Sequence, residues 1–226
     1  MISVVALWNQ VQQTAKTGTT GYQTQDEFNR DLATAQTRIC NVLCDNYDIS
    51  NKVEDALFGL IVSQETVTSS FGIVSTPSDY FRLITMWVNI NGVYYLSQKI
   101  ALNQVPVYIT SFVRKPDLSK NRTVYYYLDG AIQMLPLIAI QSKILYCKVP
   151  PTASIILTPE SSWNYDYIVP TAGTDLVWSP LLFNLFQYTM LEMLGIECKD
   201  QIIYEYSQLG IPKEAYVSST LTGGQA

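Results

Sequence analysis

From Thr24 onward, apolar side chains fall at Phe28, Leu32, Ala35, Ile39 and Val42, separated by four, three, four and three positions. That spacing puts them on one stripe of an α-helix. The start of the helix is marked as clearly as its seam. Thr24 and Glu27 have the S/T-x-x-E spacing of a capping box, in which each side chain reaches the other's backbone N–H. Asp26 and Glu27 also suit the positive end of the helix dipole. A seam of this length ordinarily packs inside its own domain, and the same stripe can instead face a neighbouring subunit. A shorter helix is predicted over residues 2–15, with Val5, Leu7 and Val11 as its apolar points. A loop is expected over Thr14–Gln23, and a third short helix at about Lys52–Ile61.

From about Glu65 the period changes from helical to alternating, and Val, Ile, Thr, Tyr and Phe dominate. "ITMWVNI" and "VYYLS" flank Asn91-Gly92, while "TVYYYL" and "AIQMLP" flank Asp129-Gly130; both are strong hairpin signals. "SKILYCKV" reads as a further strand, stopped by Pro150-Pro151. Between the hairpins a short helix fits "IALNQVPVYITSFVRK", with Pro106 limiting where it starts.

Helical spacing returns in "SPLLFNLFQYTMLEMLG". Ser179 is placed as an N-cap, Pro180 at the first helical position and Gly195 as a stop. Leu181, Leu182, Leu185, Phe186, Thr189, Met193 and Leu194 mark its apolar face. A last helix or turn covers Lys199–Gln208, and the small polar tail Val217–Ala226 reads as flexible or as an arm for a neighbour. The expected fold class is α+β: N- and C-terminal helices pack together, with an antiparallel β domain, a sandwich or open barrel, inserted between them. The expected boundaries are 1–62 (helical), 63–175 (β), 176–212 (helical) and 213–226 (tail).

Composition narrows the function. The chain has 226 residues, of which 48% are hydrophobic and 15% charged, well below the usual charged share of about 25%. The net charge of −5 lacks the basic stripe of a nucleic-acid-gripping protein; an acidic surface repels phosphate. There is no histidine, which removes Ser-His and Cys-His nucleophile arrangements. Cys40, Cys44, Cys147 and Cys198 form no CxxC pair, so no metal site is expected. "MISVVALWNQ" has no basic n-region and reads as no secretory leader. The most apolar stretch, Pro180–Gly195, is too short and too interrupted to span a bilayer. No cofactor is implied.

Four stretches together carry a family resemblance. "GYQTQDEFNRDLATAQ", through Gly21, Tyr22, Thr24, Asp26, Glu27, Phe28, Asn29, Ala35 and Gln36, resembles the opening of virion proteins from crAss-like tailed phages. "STPSDYFRL", with Pro77, Asp79 and Tyr80, resembles their strand-entry motif. Pro116, Tyr126, Gly130, Ile132 and Pro136 are similar to their hairpin, and "DLVWSP", with Trp178, to their entry into the last long helix. Thr76 stands where an aliphatic residue is more usual, and Thr123 where proline often stands. The resemblance covers residues 20–210. It implies a virion protein of the phage neck or tail, assembled in the bacterial host cytoplasm: a head–tail connector forming a ring of about twelve copies of itself. Such a ring meets the portal and other neck or tail ring proteins, and DNA passes through it without sequence-specific binding or a membrane.

Candidate contact residues follow. The segment Ala153–Thr174, with Trp163, Tyr165 and Tyr167, suits an aromatic inter-subunit contact. It equally suits the alternative function, a tail-associated receptor- or carbohydrate-binding module. Arg114, Lys115, Lys120 and Arg122 cluster around one loop, as a solvated face, a DNA contact or an inter-subunit contact. Asp166 with Asp175, and Glu192 with Glu197, are the carboxylate pairs that a glycosidase-type reaction needs. Their positions at or beside helix ends favour structural roles, and no catalytic residue is assigned.

Overall fold

A computed structural model describes residues 1–17, 23–159 and 168–213. In chain order the elements are α1 (Val4–Thr17), α2 (Gln25–Asp45), α3 (Asn51–Leu57), β1 (Ile61–Val67), β2 (Ile73–Val74), β3 (Tyr80–Ile90), β4 (Val93–Leu96) and β5 (Gln98–Lys99). Then come α4 (Val105–Thr110), β6 (Val124–Leu128), β7 (Ala131–Leu135), β8 (Gln141–Lys148), β9 (Ser154–Pro159), β10 (Ile168–Thr174), α5 (Phe183–Met193) and α6 (Lys199–Gln208). The fold is α+β with an inserted β domain. Unit 1 comprises Met1–Leu60 and Pro150–Ala226, and unit 2 is Ile61–Val149.

Unit 1 is built around α2. The capping box forms: Thr24 Oγ1 accepts from Glu27 N–H at 3.3 Å, and the Glu27 carboxylate accepts from Thr24 N–H at 2.8 Å. All five seam residues, Phe28, Leu32, Ala35, Ile39 and Val42, are buried. Trp8 packs edge-on against Phe28 at 4.9 Å between ring centres. α2 meets α5 through an Arg38–Glu192 ion pair at 2.8 Å. Trp178, ahead of α5, is buried edge-to-face with Phe186 and donates its indole N–H to Gln36 Oε1 at 3.2 Å. A buried indole and a buried carboxamide thereby satisfy each other.

The β9–β10 hairpin belongs to this unit because α2 holds it. Asn29 grips the backbone of Ile155 with both ends of its amide: Oδ1 accepts from Ile155 N–H at 2.8 Å and Nδ2 donates to Ile155 C=O at 3.2 Å. One turn earlier, Gln25 Oε1 accepts from Leu157 N–H at 2.9 Å. Four helical residues rise about 6.0 Å and two strand residues about 6.6 Å, so the two amides meet alternate strand residues in step. The hairpin edge that would otherwise stay unpaired is covered. The N-terminus is pinned similarly. Ile2 and Leu176 exchange backbone hydrogen bonds at 3.0 Å, and Asp175 accepts from Val4 N–H at 3.1 Å at the start of α1.

Unit 2 holds two four-stranded sheets, ordered β1-β8-β3-β4 and β2-β7-β6-β5. Leu83, Met86, Val88, Ile90, Ile144 and Tyr146 from the first meet Val74, Tyr125, Ile132 and Met134 from the second in one buried cluster, which makes a sandwich. The second sheet also buries Val124, Tyr126 and Leu135 with Ile100, packed by Val105 and Tyr108 around α4. Both hairpin signals form. Asn91-Gly92 and Asp129-Gly130 all have positive φ, between 50° and 85°, the backbone that a two-residue turn of primed type demands.

Two expectations need correction. The β domain was expected to run to residue 175, and it closes at Val149; β9 and β10 pair only with each other and are held by α1 and α2. Ser179 does cap and Pro180 does take the first helical position, but that first turn, Pro180–Leu182, is a 3-10 turn before α5 begins. That turn leaves Leu181, expected on the buried face, 63% exposed.

Candidate functional site

The residues that end α4 present an aromatic knob on unit 2. Pro106 sits in the first turn of the helix, and the Ser111 N–H bonds back to Val107 C=O at 3.0 Å. Ser111 then organises a turn: its hydroxyl accepts from Arg114 N–H at 3.0 Å and its carbonyl from Lys115 N–H at 3.2 Å. Phe112 lies in that turn, 95% exposed, beside Val113 at 67%. Val107 and Ile109 of α4 are also about half exposed. An exposed phenylalanine among exposed aliphatics marks a contact surface more than a solvent face.

The basic loop adjoins it. Asp117 and Arg122 exchange backbone hydrogen bonds at 2.9 and 3.0 Å, and Asp117 Oδ1 accepts from Ser119 N–H and Oγ. The Ser119 contacts, hydroxyl first, hold the Asp117 carboxyl below its ordinary range, with Lys120 and Lys115 adding to the effect. Asn121 closes the turn with φ of 53°, and Arg122 donates to Val113 C=O. Arg114, Lys115, Lys120 and Arg122 are all exposed, and none has a carboxylate within 4.0 Å among the described residues. Arg114, Arg122, Leu96, Gln98, Tyr108 and Asn121 border a groove of about 610 Å³. Thr123 also lines it; its hydroxyl is buried and makes no hydrogen bond.

Unit 1 has a smaller, more apolar cleft of about 270 Å³, lined by Leu181, Leu182, Leu185 and Leu209, with Lys52 and Glu205 among its borders. Asn184 donates to Glu205 at 3.4 Å. Ser50 caps α3 and donates its hydroxyl to Leu209 C=O, just past the end of α6.

The other sequence candidates take structural places. Asp79 and Tyr80 do mark a strand entry: β3 begins at Tyr80, and Tyr80 N–H bonds Pro77 C=O at 3.2 Å. Tyr146 donates to Asp79 at 3.0 Å, and its ring lies 5.8 Å from that of Tyr80. Burial, with the neighbouring Tyr127 hydroxyl, pushes the Tyr80 phenol up; burial and Asp79 do the same to Tyr146. Of the carboxylate pairs, Asp175 holds the start of α1 and Glu192 is paired with Arg38. All four cysteines are buried, with Cys40 and Cys44 sulfurs 3.8 Å apart. Gly21, Tyr22, Trp163, Tyr165, Tyr167 and Asp166 lie outside the described residues, as does the tail from residue 214. The clamp of Asn29 and Gln25, the Phe112 knob and the leucine cleft escaped the sequence reading. Only Asn29 carried a signal, as a matched position of the resemblance.

No protein-family model and no curated protein matches the chain.

Proposed function

We propose that the chain is a structural ring subunit of a tailed-phage neck or tail, joining portal to tail in the virion and leaving a path for DNA, with no catalytic role. The observation that carries this reading is how charge divides between the two units. Unit 2 has eight basic and four acidic side chains, a net +4; unit 1 has six basic and fifteen acidic, a net −9. Opposite charge on two different surfaces favours head-to-tail association of identical copies, the heterologous contact that closes into rings. An excess of acid on unit 1 also suits a wall past which DNA slides, because it repels phosphate. The four sequence motifs supply the phage assignment.

The test is native mass spectrometry or mass photometry of the purified chain over a wide concentration range. A closed species near twelve copies of the 25.5 kDa chain supports the reading. A monomer or dimer at every concentration refutes it.

A further inference from the structure

We infer that Phe112 of one copy inserts into the leucine-lined cleft on unit 1 of a second copy, with Arg114 and Lys115 facing Glu205 at the edge of that cleft. The inference rests on the ring reading in taking the partner to be another copy, and goes beyond it in naming the two surfaces.

Three observations point to this pairing. The first is shape. Phe112 projects at 95% exposure from a turn fixed by Ser111, so little freedom is lost when it is buried. The cleft, at about 270 Å³, lies below the range of about 300–1,000 Å³ usual for small-molecule pockets and suits a single large side chain. The second is chemistry. Leu181, at 63% exposure, gives an exposed apolar wall to a cleft also lined by the buried Leu182, Leu185 and Leu209, and aromatic anchors seated in such pockets dominate interface energetics. The third is charge. The knob is followed by Arg114 and Lys115, while the cleft is bordered by Glu205 and Lys52 on a unit whose net charge is −9. Knob and cleft are different surfaces, so each copy offers one of each, and the contact propagates in one direction.

The competing ligand for the basic loop is nucleic acid, bound through phosphate. A DNA contact needs the arginines and lysines but has no use for the leucine cleft.

The experiment uses the full chain. Phe112→Ser is expected to raise the concentration for half-assembly by about 30-fold or more, the effect of losing one interface hot spot. Phe112 is almost wholly exposed, so the circular dichroism spectrum, and the melting temperature measured on the unassembled chain, should not change. Arg114→Glu should weaken assembly, and combining it with Glu205→Lys should restore part of it. In a mixture of light and isotope-heavy chains, a benzophenone amino acid at position 112 should crosslink to peptides holding Leu181–Leu185 or Glu205–Leu209 of the other copy. Normal assembly by Phe112→Ser, or crosslinks confined to other segments, overturns the inference and leaves the ring standing. Salt-sensitive DNA binding that is lost in Arg114→Glu, with assembly unchanged, assigns the loop to DNA and overturns it as well. A wild-type chain that never assembles overturns both.

Discussion

Asn29→Ala is the substitution on which the account of unit 1 depends most. Ile155 is 0% exposed, so water cannot replace the amide that grips its backbone. Removing that amide breaks two hydrogen bonds, at 2.8 and 3.2 Å, and strands a buried N–H and a buried C=O. A net hydrogen bond contributes about 0.5–1.5 kcal/mol, and a buried group left without a partner costs about 1–3 kcal/mol. These describe overlapping parts of one loss, so about 2–4 kcal/mol is expected in total. For a chain of this size each kcal/mol shifts the melting temperature by about 2–4 °C, and a fall of about 5–15 °C follows. The assays are thermal or urea unfolding, together with hydrogen exchange at Ile155 and Leu157. Exchange should accelerate most at Ile155, because Gln25 still holds Leu157. Asn29→Asp gives a second check. Its carboxylate still accepts from Ile155 N–H but opposes the Ile155 carbonyl, so it too is destabilised at neutral pH and recovers when the carboxyl is protonated. A loss below about 0.5 kcal/mol for Asn29→Ala, the range of an inert surface change, would refute the clamp.

Three further outcomes are expected. Thr123→Val keeps the shape of the side chain and removes a buried hydroxyl that has no partner; urea unfolding should show no loss and a gain of up to about 1–2 kcal/mol. Gly59→Ala should lose about 1–3 kcal/mol in the same assay, because the new Cβ would sit 2.6 Å from the Val177 carbonyl oxygen. Hydrogen bonds from the Thr24 backbone, then from its hydroxyl, lower the Glu27 carboxyl pKa from its ordinary value of 4.5. The depressed folded pKa means that this stabilisation is present above about 4.5 and fades as pH falls through the folded value. Melting curves of wild type and Glu27→Ala should therefore converge as pH drops below that point; a constant gap would count against the box.

Features made by neighbours in sequence were legible, and features made by distant partners were not. α2 announced itself because its cap, its first-turn acids and its seam all lie within about twenty residues and agree with one another. The hairpins were equally plain, since Asn-Gly and Asp-Gly tolerate the positive φ found at those turns. β3 is harder. Its buried residues are Leu83, Met86, Val88 and Ile90, and a register shift between Leu83 and Thr85 breaks the alternation. One extra residue there turns the rest of the strand over, so a strict period-two reading misplaces one end. The β9–β10 hairpin was missed for a different reason. Pro159, Pro170 and Gly173 weaken its strand signal, and its stability comes from amides on a helix more than a hundred residues earlier.

That one boundary alters the electrostatic argument. Counted over residues 63–175, the β domain carries eight basic and seven acidic side chains and is nearly neutral. With the hairpin in unit 1, Glu160, Asp166 and Asp175 leave the β domain and its net charge becomes +4, against −9 for the helical unit. The chain as a whole, at −5, looks like a mildly acidic protein with no preferred partner. Divided at Val149, it consists of two parts of opposite net charge, and in the proposed ring each part would attract its opposite on a neighbouring copy. Such attraction would act over roughly 8 Å at physiological salt, enough to orient an approaching copy before the proposed Phe112 contact forms. In the proposed ring the charge pattern would govern how fast copies meet and in which orientation, while the proposed Phe112 contact would govern how long they stay. Added salt should accordingly slow ring assembly far more than it speeds dissociation, and the reverse dependence would place the charges inside the contact.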